Sequence, residues 1–204
     1  EEILLGDVSR GAETFGLSLD KPTLLILGGS QGATMLNEAV LHILPELLAA
    51  GVQIIHQTGH ENFEAIAKIR EEHGLNVAGS GYVAQDFFTV AQLADILALS
   101  TVVLSRAGAS TISELAATKK AVILVPLSSA ANNEQRMNAY DIAKIGGVFV
   151  LEEQNLGEHI LLQKILELIQ DAETRQRMGE RIHQFYHPDA SQAIATGIST
   201  LIAR

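Results

Sequence analysis

Thr23-Leu24-Leu25-Ile26-Leu27-Gly28-Gly29-Ser30-Gln31-Gly32-Ala33 is the stretch on which the fold turns. A nearly continuous apolar run stops on two glycines, and a helical pattern follows from about Gly32 to Ala50. A strand that is apolar at successive positions, rather than at every second one, is buried on both faces. That is the condition of a parallel sheet covered by helices.

The same pattern recurs along the chain. Strands are expected at Val52 to Gln57, Asn76 to Val83, Thr101 to Leu104, Ala121 to Val125 and Gly147 to Leu151. Helices are expected at Glu61 to His73, Ala84 to Leu99, Thr111 to Lys119, Asn133 to Ile145, His159 to Gln170, Ala172 to His183 and Ala190 to Ala203. Strand and helix in regular alternation predict a doubly wound, mostly parallel α/β sheet of the Rossmann-like kind. In such sheets ligands bind beyond the carboxyl ends of the strands, so the loops that follow the strands carry the functional candidates.

The composition narrows the function. With 204 residues, the chain has room for one full core, and residues 1–204 are read as one domain. It has no cysteine, which excludes disulfides and thiolate metal sites. A net charge of −10 argues against nucleic acid as a partner, because that role needs a basic face. A phosphate site on so acidic a chain has to be local, built from backbone N–H groups and helix starts. The seven histidines show no metal-ligand spacing, and no nucleophile–histidine–carboxylate order or nucleophile elbow is visible, so no catalytic residue, metal or cofactor is assigned.

Four loops remain. The first, Gly28-Gly29-Ser30-Gln31-Gly32, is either a tight strand-to-helix turn or a phosphate cradle; it matches neither the dinucleotide fingerprint nor the P-loop. The second runs from Ser105 through Arg106, Gly108, Ala109, Ser110 and Thr111 to Glu114. Two such turns at one sheet edge would grip a diphosphate from two sides. Thr111 and Glu114 have the spacing of a capping box, and the alternative for Glu114 is to accept ribose hydroxyls. Arg106 is either a phosphate partner or a structural arginine that bonds loop carbonyls, the second being preferred. The third loop, Leu127 to Arg136, carries Glu134 and Gln135 and reads either as a capped helix start, with Asn132 or Asn133 as the cap, or as a sugar-binding loop. The fourth, Gly81 to Gln85, offers backbone groups to a base edge.

In combination these segments resemble the MurG family. The resemblance is carried by Leu27-Gly28-Gly29-Ser30-Gln31-Gly32-Ala33, His56-Gln57-Thr58-Gly59, Ser105 to Glu114, and Asn132-Asn133-Glu134-Gln135-Arg136-Met137-Asn138-Ala139. It covers almost the whole chain and fits the C-terminal half of that family. It implies the GT-B architecture and an inverting, metal-independent transfer of N-acetylglucosamine from UDP-GlcNAc to a lipid-linked muramyl-peptide, lipid I to lipid II, in peptidoglycan synthesis. It further implies a cytoplasmic location at the inner face of the membrane. On this resemblance the Gly28 turn and Ser30 lie near the diphosphate, Val83 offers backbone to uracil, and Ala109, Ser110 and Thr111 form the phosphate-binding helix start. Glu114 holds the ribose, and Gln135, with Glu134 beside it, reads the sugar. Glu134 stands where the family often carries histidine. The acceptor-binding and membrane-facing N-terminal domain is expected to lie outside this sequence, so the isolated chain is expected to be inactive. A stand-alone subunit of a split transferase and a UDP-GlcNAc 2-epimerase are the alternatives.

Overall fold

The apolar runs form a sheet of six parallel strands among the described residues: β1 (Thr23–Leu27), β2 (Gln53–Gln57), β3 (Tyr82–Gln85), β4 (Val102–Ser105), β5 (Val122–Leu124) and β6 (Phe149–Val150). Their order is β3-β2-β1-β4-β5-β6. The computed structural model describes residues 2–29, 33–75, 79–130 and 133–202. β1 lies between β2 and β4, with Leu24 opposite both Ile54 and Val102.

Alternate strand residues face two separate cores. Leu24, Ile26, Ile54, Val102, Leu104 and Ile123 pack under α2 (Thr34–Ala49), α3 (His60–Glu72) and α7 (Glu158–Gln170). Leu25, Leu27, Ile55, Val103, Val122 and Leu124 pack on the other face, under α4 (Val90–Leu99), α5 (Ala109–Ala117) and α6 (Glu134–Lys144). Burial on both sides explains why the strands read as unbroken apolar runs. α8 (Ala172–Ile182) and α9 (Ala190–Ile202) complete the chain. α9 leaves Ile194, Ile198 and Leu201 exposed at helical spacing, a stripe on one face.

Three differences from the expected elements stand out. The strand expected at Asn76 to Val83 is Tyr82–Gln85, because Gly79 and Gly81 turn the chain at positive φ just before it; residues 76–78 lie outside the described set. The helix expected from Ala84 starts at Val90, where Thr89 and Gln92 form a capping box. A short helix, α1 (Val8–Phe15), precedes β1 and was not expected. Asp7 caps it, and Arg10 pairs with the carboxylate of Asp95 on α4. Gly6 and Gly11 allow the close approach: a Cβ at Gly6 would lie 2.0 Å from the Ala94 carbonyl oxygen.

Candidate functional site

After β1 the chain builds strands on one side of the sheet; after β3 it returns to place β4 on the other side of β1. The crevice beyond the carboxyl ends of β1 and β4 is therefore the topological switch point, where open α/β sheets hold ligands. Both glycine-rich turns lie there.

The first turn leaves β1 at Gly28, whose N–H donates to the Gln57 carbonyl at 3.2 Å. A Cβ at Gly28 would lie 3.0 Å from that carbonyl oxygen and 3.5 Å from Asn37 Oδ1, so the close approach calls for glycine. Gly29 is exposed at φ 82. Ser30, Gln31 and Gly32 lie outside the described residues. α2 then starts at Thr34 with no side-chain hydrogen bond from its cap residue, Ala33.

The second turn leaves β4 at Ser105. Gly108 is the cap residue of α5 and supplies no side-chain acceptor. Because α5 starts at Ala109, Thr111 is its third residue, and the capping-box reading of Thr111 and Glu114 fails. Ala109 and Ser110 are exposed and Thr111 is half-buried. Ser110, Thr111 and Glu114 share one helix face, being three and four residues apart. The Glu114 carboxylate is half-buried, and burial pushes it above the usual carboxylate range. Among the described residues nothing donates to it or pairs with it. Among the described residues α2 and α5, like α3, α6 and α7, start without a side-chain cap, whereas at α1, α4 and α8 Asp7, Thr89 and Asp171 accept backbone N–H groups. First-turn N–H groups with no side-chain acceptor among the described residues, and the partial positive charge of two helix starts, therefore meet at the switch point.

α6 holds the second turn from the side. Gln135 Oε1 accepts from the backbone N–H groups of Ala107 (3.3 Å) and Leu127 (3.1 Å), and Asn138 Nδ2 donates to the Ala107 carbonyl at 3.2 Å. The peptide groups on both sides of Ala107 are thus clamped by one helix. The Gln135 amide nitrogen has no partner among the described residues, whereas Glu134 is exposed with none. Asn133, at φ 56, precedes α6 without a side-chain cap bond, and Asn132 lies outside the described residues.

Arg106 faces inward rather than into the crevice. It donates to the Val125 carbonyl at 3.2 Å and pairs with Glu153 at 2.6 Å, their side chains 11% and 6% exposed. Glu153 also accepts from the Ser128 N–H (2.9 Å) and hydroxyl (2.5 Å). Burial pushes the Glu153 carboxyl up, but Ser128 and Arg106 outweigh it and hold the group below its ordinary value. Glu153 ties the loops after β4 and β5 together, and no sequence motif marks it.

Val83 lies in β3, at one end of the sheet. The carbonyls of Gly81 and Gln85 accept from Ile54 on β2 and from Thr58 just past its end, so by strand alternation the Val83 peptide also faces β2. The backbone groups of Tyr82 and Ala84 are the ones left on the outer edge.

The model of the glycosyltransferase family 28 C-terminal domain matches residues 23–194. The chain is 37% identical over 172 residues to a UDP-N-acetylglucosamine–N-acetylmuramyl-(pentapeptide) pyrophosphoryl-undecaprenol N-acetylglucosamine transferase of Lachnospira eligens, covering 84% of this chain and 46% of that one. It is 33% identical over 207 residues to the protein of the same name from Natranaerobius thermophilus, covering 99% of this chain and 55% of the relative. The chain thus spans about half the length of the curated relatives it matches. Among solved structures it resembles Acinetobacter baumannii MurG, with a TM-score of 0.71 and 26% identity over 97% of this chain and 55% of that one. It shares its fold with Staphylococcus aureus MnaA, solved with UDP, at a TM-score of 0.66 and 17% identity over 95% of this chain and 49% of that one. The helix-covered six-stranded sheet with two uncapped turns at its switch point, together with these matches, places the chain in the MurG family as a glycosyltransferase family 28 C-terminal domain of the GT-B fold.

Proposed function

We propose that this domain binds UDP-GlcNAc across the β1–β4 crevice and serves as the donor half of the transferase that converts lipid I to lipid II at the inner face of the cell membrane. The observation that carries the reading is the convergence of Gly28 and the start of α5 on the same crevice, with half-buried Glu114, unpartnered among the described residues, on the second turn of α5. Peptide N–H groups at the two helix starts take the diphosphate, and Glu114 accepts the ribose hydroxyls. Gln135, whose amide nitrogen points away from its two backbone partners, donates to the sugar. The same N–H groups stabilise the charge that grows on UDP as it leaves, while the crevice orients the anomeric carbon.

The acceptor and the membrane contact belong, in this reading, to an N-terminal half, and the exposed apolar stripe on α9 supports contact with a further body. The isolated domain binds the donor and transfers nothing. Calorimetric titration of the domain with UDP and UDP-GlcNAc tests the site. Saturable heat is expected, and its absence at millimolar nucleotide would overturn the assignment.

A further inference from the structure

A polar chain runs through the otherwise apolar layer between the sheet and α2. Tyr82 Oη lies 2.9 Å from His56 Nδ1, and His56 Nε2 lies 3.0 Å from Asn37 Oδ1. Asn37 Nδ2 donates to the Thr58 carbonyl at 3.0 Å. His56 is fully buried, and Tyr82 and Asn37 nearly so.

The direction of every bond follows from its last member. The Thr58 carbonyl can only accept, so Asn37 presents its NH2 there and its carbonyl oxygen to His56. His56 therefore donates from Nε2 and accepts at Nδ1, and Tyr82 is the donor to Nδ1. The ring is neutral in the Nε2–H tautomer; burial alone carries its pKa down to about 3, which keeps it so.

The chain ends under the first glycine turn. Asn37 Oδ1 lies 3.5 Å from the place a Cβ at Gly28 would take. Thr58, which Asn37 holds, follows Gln57, the acceptor of the Gly28 N–H. Leucine or isoleucine would fill this layer as well for stability, but would not fix the Thr58 carbonyl and the underside of Gly28 in one geometry.

We propose that His56 and Asn37 are positioning residues for the donor site: the one-way chain from Tyr82 through His56 and Asn37 holds Gly28, where the chain leaves β1, and the Thr58 carbonyl in one geometry at the edge of the crevice. The inference rests on the donor-binding reading above.

The test uses the full chain with His56→Leu, His56→Gln, Tyr82→Phe and, as a stability control in the same core layer, Ile165→Val. Three quantities are read: ring 15N shifts of His56, amide hydrogen exchange of Gly28 without ligand, and the Kd for UDP. A neutral Nε2–H ring is expected at pH 7. At matched global stability, His56→Leu is expected to speed Gly28 exchange and raise the Kd about tenfold each, the loss of one buried, geometry-setting hydrogen bond. His56→Gln, which keeps a donor and an acceptor, should recover most of both. Tyr82→Phe removes a single hydroxyl and should shift both in the same direction, which serves if His56→Leu does not fold. A proton on Nδ1, or variants that lower stability yet leave Gly28 exchange and UDP affinity where Ile165→Val leaves them, would overturn the proposal. If wild-type protein binds no UDP, the donor-site reading fails, and Gly28 exchange still decides whether the polar chain holds Gly28.

Discussion

The guanidinium of Arg106 lies 2.6 Å from the Glu153 carboxylate, 47 residues further along the chain, with both side chains nearly out of solvent. A buried pair of this kind is costly to break from one side, because the remaining charge has no partner. Glu153→Leu is expected to destabilise the domain by about 3–5 kcal/mol. The double variant Arg106→Met, Glu153→Leu should lose less than the single one. Urea unfolding of the wild type and the two variants measures this, and a double variant less stable than Glu153→Leu would refute it.

Glu114 is expected to behave in the opposite way. Its carboxylate is half-buried and unpartnered among the described residues, so Glu114→Gln removes a desolvated charge and should leave the melting temperature unchanged or higher. UDP affinity should nevertheless fall about tenfold, as expected for one lost charge-assisted hydrogen bond. Comparison with 2′-deoxy-UDP sharpens the test. The wild type should prefer the ribonucleotide, and the variant should lose that preference.

Gln135 carries a structural role and, in the proposed donor site, a binding role on one amide. Gln135→Leu leaves the N–H groups of Ala107 and Leu127 without their acceptor and should cost about 2 kcal/mol. Gln135→Glu keeps an acceptor and should retain most of the stability while weakening UDP-GlcNAc more than UDP. Equal loss of the two ligands would remove Gln135 from the sugar.

His56 gives the domain an acid sensitivity of known sign. Its pKa falls from 6.5 to about 3 on folding, so between those values the unfolded chain takes up a proton that the folded chain does not. Stability should therefore fall as pH drops through that window, by ~1.4 kcal/mol per unit from this group. His56→Gln should flatten that share of the slope between pH 6 and pH 4 in urea unfolding, and an unchanged slope would count against the buried neutral ring.

How far the sequence could be read depended on whether the cause of each feature was local. Thr23–Leu27 was legible to the residue, because burial on two faces leaves an unbroken apolar run. The turns at Gly28 and Gly108 were legible because each stands between such a run and a helix. The start of α4 was written in Thr89 and Gln92 but was hidden by the apolar residues before it. α1 escaped because it is eight residues long and includes Gly11, which is there for the contact with Asp95 rather than for the helix. Glu153 was not legible at all: it lies in a polar run, and its partners Arg106 and Ser128 are distant in sequence. The structural role of Arg106, a donor to a loop carbonyl, was the preferred reading, but its partner Glu153 was not legible; the clamp on Ala107 and the polar chain through His56 were hidden for the same reason, since each depends on segments that meet only after the sheet has formed.

For the proposed donor site, the starts of α2 and α5, uncapped among the described residues, bear on how a nucleotide arrives. Their attraction comes from peptide dipoles and fades within a turn of the helix, whereas the chain as a whole carries −10. Beyond about 8 Å at physiological ionic strength the dipoles contribute little, and an incoming diphosphate meets like charge. Added salt screens that repulsion more than it weakens the short contacts. Association with the proposed donor site should therefore quicken as ionic strength rises, the reverse of a site lined with lysine and arginine, so that such a crevice would select an anion that has already come close.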